Sequence, residues 1–451
     1  MKRTLASLVI GLSLLMGTTT SAWAQDFQKG WRAYTKGDFT TALREWRPLA
    51  EQGDATAQYN LGLMHENGDG VAQDYKEAMK WYRLASEQGF AIAQRNLGAM
   101  YEEGKGVAQD YKESVKWYRL AAEQGDADAQ NNLGLMHENG KGVAQDYKEA
   151  VKWYRLAAGQ GSVAAKYNLA DMYYRGEGVV QDYKEALKWY RLAAGQGSAT
   201  AKSILGFMYQ TGEGVAQDYK EAMKWYRLAA EQGYAGAQHN LAVMYYRGEG
   251  VVQDYKEAMK WYRLASEQGD ASSQHDLSGM YYRGEGVAQD YKEALKWLRL
   301  AAGQGYAVAQ HDLAMMYYSG QGVVQDYKVG VKWARLAAEQ GHAGAQFNLG
   351  LSYQNGQGVV QDYKEAVKWW RLASEQGIVA AQYNLGVMYG EGHGVIQDNV
   401  MAYMFFSIVA SKGDAGAVKN RDIAAKFMTT AEISKAQKLA RECVAKNYKG
   451  C

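Results

Sequence analysis

Proline is almost absent from this chain of 451 residues, which contains only Pro48. Cysteine is nearly as rare, since Cys443 and Cys451 are the only two. No apolar run beyond residue 24 approaches the ~20 residues that a membrane-spanning helix needs. These absences exclude a disulfide in every structural unit, and they predict a mature chain without a membrane span.

An excess of charge of one sign is also missing. Lysine and arginine total 51, against 49 aspartate and glutamate residues. Lys2 and Arg3 lie in the N-terminal segment discussed next, and without them both signs number 49. A neutral balance gives no bulk attraction to nucleic acid or to anionic lipid. We therefore expect neither of these as a partner.

Residues 1–24 have the pattern of a secretory signal peptide. A basic start at Lys2 and Arg3 precedes a short apolar run over residues 5–16, and Ala22 and Ala24 provide a small-x-small cleavage site. We expect cleavage near Ala24 and a periplasmic or secreted protein.

A stretch of fixed length recurs throughout most of the chain. The segment Asp74–Gly89 returns nine more times at a period of 36 residues. Asp74 can cap the start of a helix, and Gly89 can end it in the left-handed conformation. The segment is therefore predicted to be a helix, helix B of each repeat. Its apolar stripe of helical period consists of Tyr75, Ala78, Met79, Trp81, Tyr82, Leu84 and Ala85.

A second helix, helix A, is predicted from Asp54 to Glu66, with Ala57, Leu61 and Met64 at helical spacing. The loop 67–73 contains two glycines, which suit a reversal of the chain. Each repeat is thus predicted as a helical hairpin. A single hairpin cannot bury its apolar face, so the repeats must stack as an all-α solenoid.

The repeat reads Ala-x-Ala-Gln-x-Asn-Leu-Gly-x-Met-Tyr-x-x-Gly-x-Gly-Val-x-Gln-Asp-Tyr and continues into helix B. It resembles the Sel1-like repeat, a relative of the tetratricopeptide repeat. The resemblance implies a right-handed α-solenoid that acts as an adaptor or scaffold for protein complexes, without a cofactor. Ten repeats are expected over residues 53–412.

The two ends depart from the repeat. Residues 25–52 are interpreted as a degenerate N-terminal capping repeat, and 413–451 as a helical C-terminal cap. In the second cap, Thr429 and Glu432 have the spacing of a capping box. Cys443 and Cys451 predict a disulfide, because an exported chain with one pair of cysteines usually joins them.

Residues that vary between repeats fall in three columns on helix A, separated by four and then three positions, which places them on one helical face. Because the A helices line the concave surface of two-helix solenoids, this face is the predicted partner-binding groove. The candidate residues are Tyr59, Arg95, Tyr167, Tyr174, His239, Tyr246, His275, Tyr282, His311, Tyr318, Phe347 and Tyr383.

Other interpretations of this face remain open. Its tyrosines could bind a glycan of the cell wall or an exopolysaccharide instead of a protein. They could also pack between adjacent A helices and bind nothing. His239, His275 and His311 recur one repeat apart, too far to share a metal ion, so surface polar residues or a pH-responsive patch are the alternatives.

No catalytic residues are predicted. Some cysteine-rich Sel1-like proteins are associated with penicillin binding or β-lactamase activity, but they have a disulfide in each repeat. This chain lacks those cysteines and has no Ser-x-x-Lys motif. A non-enzymatic scaffold is therefore the favoured function.

Overall fold

The computed structural model describes residues 20–451, with side chains from Asp26 onward. Most of the predicted signal peptide therefore lies outside the described residues. Within the described range every regular element is a helix, which confirms the all-α prediction. None of these helices is long and apolar enough to cross a bilayer.

The chain consists of two compact units, and the boundary between them lies between Gln217 and Asp218. The described part of the first unit contains eleven helices, and from α3 onward the odd numbers are helix A and the even numbers helix B. They are α1 (Thr20–Thr35), α2 (Phe39–Glu51), α3 (Ala55–Asn67), α4 (Tyr75–Glu87), α5 (Ala91–Glu103), α6 (Tyr111–Glu123), α7 (Ala127–Asn139), α8 (Tyr147–Gly159), α9 (Val163–Arg175), α10 (Tyr183–Gly195) and α11 (Ala199–Thr211).

The second unit continues the same alternation and adds two helices at its end. Its members are α12 (Tyr219–Ala230), α13 (Ala235–Arg247), α14 (Tyr255–Glu267), α15 (Ala271–Arg283), α16 (Tyr291–Gly303), α17 (Ala307–Ser319), α18 (Tyr327–Glu339), α19 (Ala343–Asn355), α20 (Tyr363–Glu375), α21 (Val379–Glu391), α22 (Asn399–Ala410), α23 (Ala415–Ala425) and α24 (Thr430–Ala445).

Helix B begins and ends where the sequence predicts. The carboxylate of Asp74 accepts hydrogen bonds from the backbone N–H groups of Lys76 and Glu77. Gly89 has φ of 84°, the left-handed conformation that stops the helix. The placement of Leu84 in the apolar stripe was wrong, since it is 38% exposed. It lies roughly 200° around the helix from the buried Tyr82, and therefore on the outer side.

The loop between helices A and B is fixed at both ends by side chains. Gln109 donates from Nε2 to the carbonyl of Glu102, at the end of α5, over 2.7 Å. The next residue, Asp110, caps α6. Gly106 has φ of 73°, and a Cβ at this position would lie 2.5 Å from the carbonyl oxygen of Tyr75 in the preceding repeat. The second glycine of the loop is thus required by close contact between repeats.

A tyrosine of helix B fills the centre of each early hairpin. Tyr82, Tyr118 and Tyr154 are almost completely buried. Each ring lies against a glycine of helix A in the same hairpin, and a Cβ on Gly134 would come within 2.5 Å of the Tyr154 ring. The neighbouring tryptophans are less enclosed. Among the helix-B tryptophans one position before this tyrosine, the buried ones are Trp81, Trp117, Trp153, Trp297 and Trp369.

A chain of amides links three successive helices at most junctions between repeats. Gln94, buried on α5, donates from Nε2 to the carbonyl of Ser86 at the end of α4 over 3.0 Å. Its Oε1 accepts from Nε2 of Gln124, which follows α6, over 2.7 Å. We call this arrangement the glutamine clamp. It recurs at Gln58, Gln130, Gln238, Gln274, Gln310 and Gln346.

A second link joins helix B to the following helix A. Arg83 donates from Nη2 to the hydroxyl of Tyr101 over 2.5 Å. In the third repeat His137 stands in place of the tyrosine and lies 3.4 Å from Nη2 of Arg119. The arginines at this position of helix B therefore join neighbouring repeats. Equivalent Arg–Tyr bonds are made by Arg155, Arg191, Arg227, Arg263, Arg299, Arg335 and Arg371.

The C-terminal segment folds back onto the last repeats. Helix α24 packs against α22 and begins with the predicted capping box at Thr429. Cys443 and Cys451 form a disulfide. The enclosed loop places the Tyr448 ring under the Lys412 ammonium, 4.6 Å from the ring centroid. The backbone N–H of Gly450 donates to Glu375 over 3.2 Å, so the tail is tied to the end of α20.

Replacing Tyr154 by alanine tests the importance of the buried tyrosine. The change removes a fully buried ring, and we expect local stability to fall by about 3–5 kcal/mol, as for other buried aromatics. Leu156→Ala on the same helix is the control, because Leu156 is 47% exposed. The measurement is the free energy of opening of α7 and α8 by native-state hydrogen exchange. Equal small losses for both variants would contradict the packing described here.

Candidate functional site

The predicted face of helix A carries glutamates in the first three repeats, and each has a structural partner. Glu66 accepts a hydrogen bond from the hydroxyl of the buried Tyr82 over 2.5 Å. Glu102 and Glu138 accept equivalent bonds from Tyr118 and Tyr154 over 2.8 and 2.5 Å. Burial and the adjacent carboxylate raise the pKa of these tyrosines. The glutamates therefore satisfy buried hydroxyls.

Other candidates in the first unit are half-buried among neighbouring side chains. Arg95 forms ion pairs with Asp126 and Asp128 at 3.0 and 2.9 Å. The Tyr59 ring packs 5.7 Å from that of Tyr82. Tyr167 makes the same contact, with its ring 5.7 Å from that of Tyr190.

The hydroxyls of three candidate tyrosines are used to join consecutive repeats. Tyr174 donates to Glu213 over 2.6 Å, and Tyr246 donates to Glu285 over 3.1 Å. Tyr282 donates to Gln321. In each case the acceptor belongs to the loop of the next repeat. The rings also pack at 5.2 Å on the first tyrosine of their own helix B.

Tyr318 differs from the other members of its column. Its ring lies against Gly330, where a Cβ would come within 2.5 Å. Its hydroxyl accepts a hydrogen bond from Ser352 over 3.2 Å. The helix-B position that holds a buried tyrosine in earlier repeats is Ala334 here, which is fully buried. Tyr318 therefore packs between repeats, against the cluster that includes Val331.

The three histidines in register have different surroundings. His239 lies 3.0 Å from the hydroxyl of Ser273 through Nδ1. Nε2 of His275 lies 2.8 Å from a carboxylate oxygen of Asp312, and its Nδ1 lies 3.5 Å from Asp276. Burial opposes the imidazolium charge, but hydrogen bonds to these two carboxylates outweigh it and raise the pKa of His275 to about 9.

His311 is the opposite case. Its ring stacks on that of His342 with centroids 4.5 Å apart. Burial, followed by the proximity of His342, lowers the pKa of His311. Within the described residues no group of three or more His, Cys, Asp or Glu side chains is placed to hold a metal ion.

The last two candidates pack toward the C-terminal end of the second unit. Phe347 contacts the hydrophobic cluster centred on Trp370. Its carbonyl accepts from Nε1 of that tryptophan over 3.1 Å. The Tyr383 hydroxyl accepts from Asn420 over 2.9 Å. Both residues therefore have partners inside the chain.

The central column of the same face is the most open to solvent. Leu135 and Phe207 in the first unit are 37% and 39% exposed, and Met315 in the second is 40% exposed. We call this the apolar column. Comparison of the repeats in sequence placed these residues on the face but did not include them among the candidate binding residues, because an aliphatic side chain on a helix is usually part of the hydrophobic core. The other members of the apolar column are Leu63, Ala99, Asp171, Val243, Gly279, Leu351 and Val387.

Comparison with protein families gives a match to the Sel1 repeat in ten consecutive segments that run from residue 55 to 414. The chain belongs to the Sel1 repeat family. One similar solved structure is c5321, a protective antigen of uropathogenic Escherichia coli with an SLR fold. It shares 36% identity over 90% of this chain and 95% of that chain, with a TM-score of 0.58.

A Sel1 repeat protein from Oxalobacter formigenes is also 36% identical, over 69% of this chain and 90% of that chain, with a TM-score of 0.56. Comparison with curated protein sequences gave no significant match. The Sel1 repeats of this chain thus form a scaffold of the type that supports contacts between proteins.

The His275–Asp312 pair leads to a prediction for the pH dependence of stability. A folded-state pKa of about 9, above the ordinary value of 6.5, means that the pair stabilises the protein fully below about pH 6.5. This contribution should be lost as the pH rises through about 9. Asp312→Asn should lower the pKa of His275 toward its ordinary value.

Titration of the histidine ring signals by NMR measures this pKa directly. Asp270→Asn is the matched control, since Asp270 lies near His239 and asparagine can also cap α15. A pKa of His275 near 6.5 in the unmodified protein would show that the pair does not form.

Proposed function

We propose that this protein is a non-enzymatic, exported scaffold that binds a partner protein along the face of helix A. The apolar column is the principal contact surface, and the tyrosines and histidines on either side of it shape the surface. A periplasmic or secreted location follows from the predicted signal peptide. The segments 25–52 and 413–451 act as terminal caps of the repeat array.

The proposal rests on one difference between the apolar column and the two columns beside it: the flanking residues are paired within the chain, whereas the large apolar residues are exposed. The flanking tyrosines and acids already have partners within the chain, as described for Tyr246 and Glu66. Leu135, Phe207 and Met315 expose large apolar surfaces instead. Within each unit, exposed apolar residues at the same position of helix A are well suited to contact with another protein.

The proposal of an oxidising compartment rests on the C-terminal disulfide. Cys443 is buried and joined to Cys451. Disulfides persist in secreted and periplasmic proteins and are rare in the reducing cytosol. The presence of this pair therefore supports export.

Glycan binding is less favoured by the geometry. That interpretation depends on tyrosines with free hydroxyls, whereas Tyr174, Tyr246 and Tyr282 donate theirs to the next repeat. Enzymatic activity has no comparable support, because the acids on the face are partners of buried tyrosines or of other charged residues.

Photo-crosslinking in cells tests the proposed surface. A photoreactive amino acid at Met315 should trap one dominant partner protein, which mass spectrometry would identify. The matched control is the same amino acid at Leu300, on helix B of the preceding repeat, which is 47% exposed. Equal trapping at both positions would contradict a surface on helix A. Adducts of glycan alone would support the cell-wall alternative.

A further inference from the structure

The junction between α17–α18 and α19–α20 departs from the packing of the other repeats. Ala334 takes the place of the buried helix-B tyrosine, and Tyr318 turns inward over Gly330. Ser352 replaces the methionine found at this position in the other repeats, and it bonds to the hydroxyl of Tyr318. The junction thus holds a partly polar contact where the other repeats have an apolar one.

The start of α19 is capped by a histidine. Nδ1 of His342 accepts a hydrogen bond from the backbone N–H of Ala345 over 3.1 Å. The helix-A caps with a carboxylate, such as Asp126 and Asp270, accept in the same way from the third residue beyond them. A histidine can do this only while Nδ1 carries no proton, so this cap requires a neutral imidazole.

A second histidine holds the capping one in place. The ring of His311 on α17 stacks on His342, and Gly344 leaves the space for both rings. Nδ1 of His311 is buried and has no hydrogen-bond partner. Besides the bond from Gln340 to Gln310, the stack is a second contact between α17 and the turn before α19.

The charged groups around this pair offer little compensation for a proton. Asp312 on α17 is the acid that acts on His311, but its carboxylate is already bonded to His275 from α15. On α18, Arg335 is engaged with Tyr353 of α19, and Glu339 is exposed three residues before His342. Helix α19 itself contains no charged residue.

We infer that the α18–α19 junction is an acid-sensitive hinge, opened by protonation of the His311–His342 pair. Protonation converts the acceptor of the cap into a donor that faces the N–H of Ala345. It also places positive charge at the N-terminus of α19, which the helix dipole disfavours. When both rings are charged, they repel each other across the stack.

The hinge lies within the proposed binding face. Met315 precedes it on α17 and Leu351 follows it on α19, so opening would separate two members of the apolar column. If the proposed function holds, partner binding should weaken in acid. The hinge itself does not depend on that function, and it can be tested in the isolated protein.

Hydrogen exchange of the full chain at about pH 7.5 and about pH 5 tests the hinge, with protection factors calculated from the intrinsic exchange rate at each pH. Protection of the first turn of α19 should fall about tenfold or more at the lower pH. The first turn of α15, capped by Asp270, should keep its protection, because the ordinary pKa of an aspartate, about 3.9, lies below both pH values. An unchanged protection of α19 would overturn the inference.

His342→Asp should abolish this response, since it installs the cap used elsewhere and removes the imidazole ring. If that variant does not fold, His311→Phe provides the test, because phenylalanine preserves a stacked ring without a second charge and should reduce the response. His393→Gln is the control, since His393 stacks on Tyr363, away from the junction. An acid response as large in His342→Asp as in the unmodified protein would refute the hinge.

Discussion

The glutamine clamp is the interaction on which stacking depends at most junctions between repeats, while Lys166 and Lys202 take its place at two others. One buried amide, such as Gln274, accepts a bond from Gln304 at the end of helix B of its own repeat and donates one to the carbonyl of Ser266 at the end of the preceding helix B. Because each clamp fixes three successive helices, hairpins that could not bury their own apolar faces are held in a defined register. A buried polar group of this kind is costly to leave unpaired, so the clamp selects one arrangement of neighbours.

With stacking assigned to fixed positions, the remaining positions on helix A can vary. Their variation is only partly free, however. A tyrosine hydroxyl in the core of one hairpin requires an acceptor, and Glu66, Glu102 and Glu138 provide it. Where helix B has Ala334 or Trp370 instead, no such acid is needed. In the apolar column Asp171 accepts from the buried Tyr190, whereas Leu135 and Phe207 are exposed, which makes the apolar members the strongest candidates for contact with a partner.

The sequence predicted the local structure well, because caps and helical period depend on residues close together in the chain. Asp74, Gly89 and the capping box at Thr429 all lie where they were expected. It did not predict that Glu66 serves Tyr82, or that Tyr318 turns toward Gly330, because those partners meet only through packing of one helix on another. The candidate residues lie on helix A, but several of them have structural roles that comparison of the repeats in sequence cannot reveal. The partner-binding role of the face remains a prediction.

Hydrogen exchange of the variant Gln274→Leu tests the central claim most directly. The substitution removes both bonds of one clamp: the side-chain amide of Gln304 loses Gln274 as its acceptor, and the carbonyl of Ser266 keeps only its backbone donors. We expect faster exchange at the end of α14, the start of α15 and the end of α16, corresponding to a local loss of about 1–3 kcal/mol. More distant helices should exchange at their original rates. Unchanged protection in these three segments would contradict the claim that the clamp holds the repeats together.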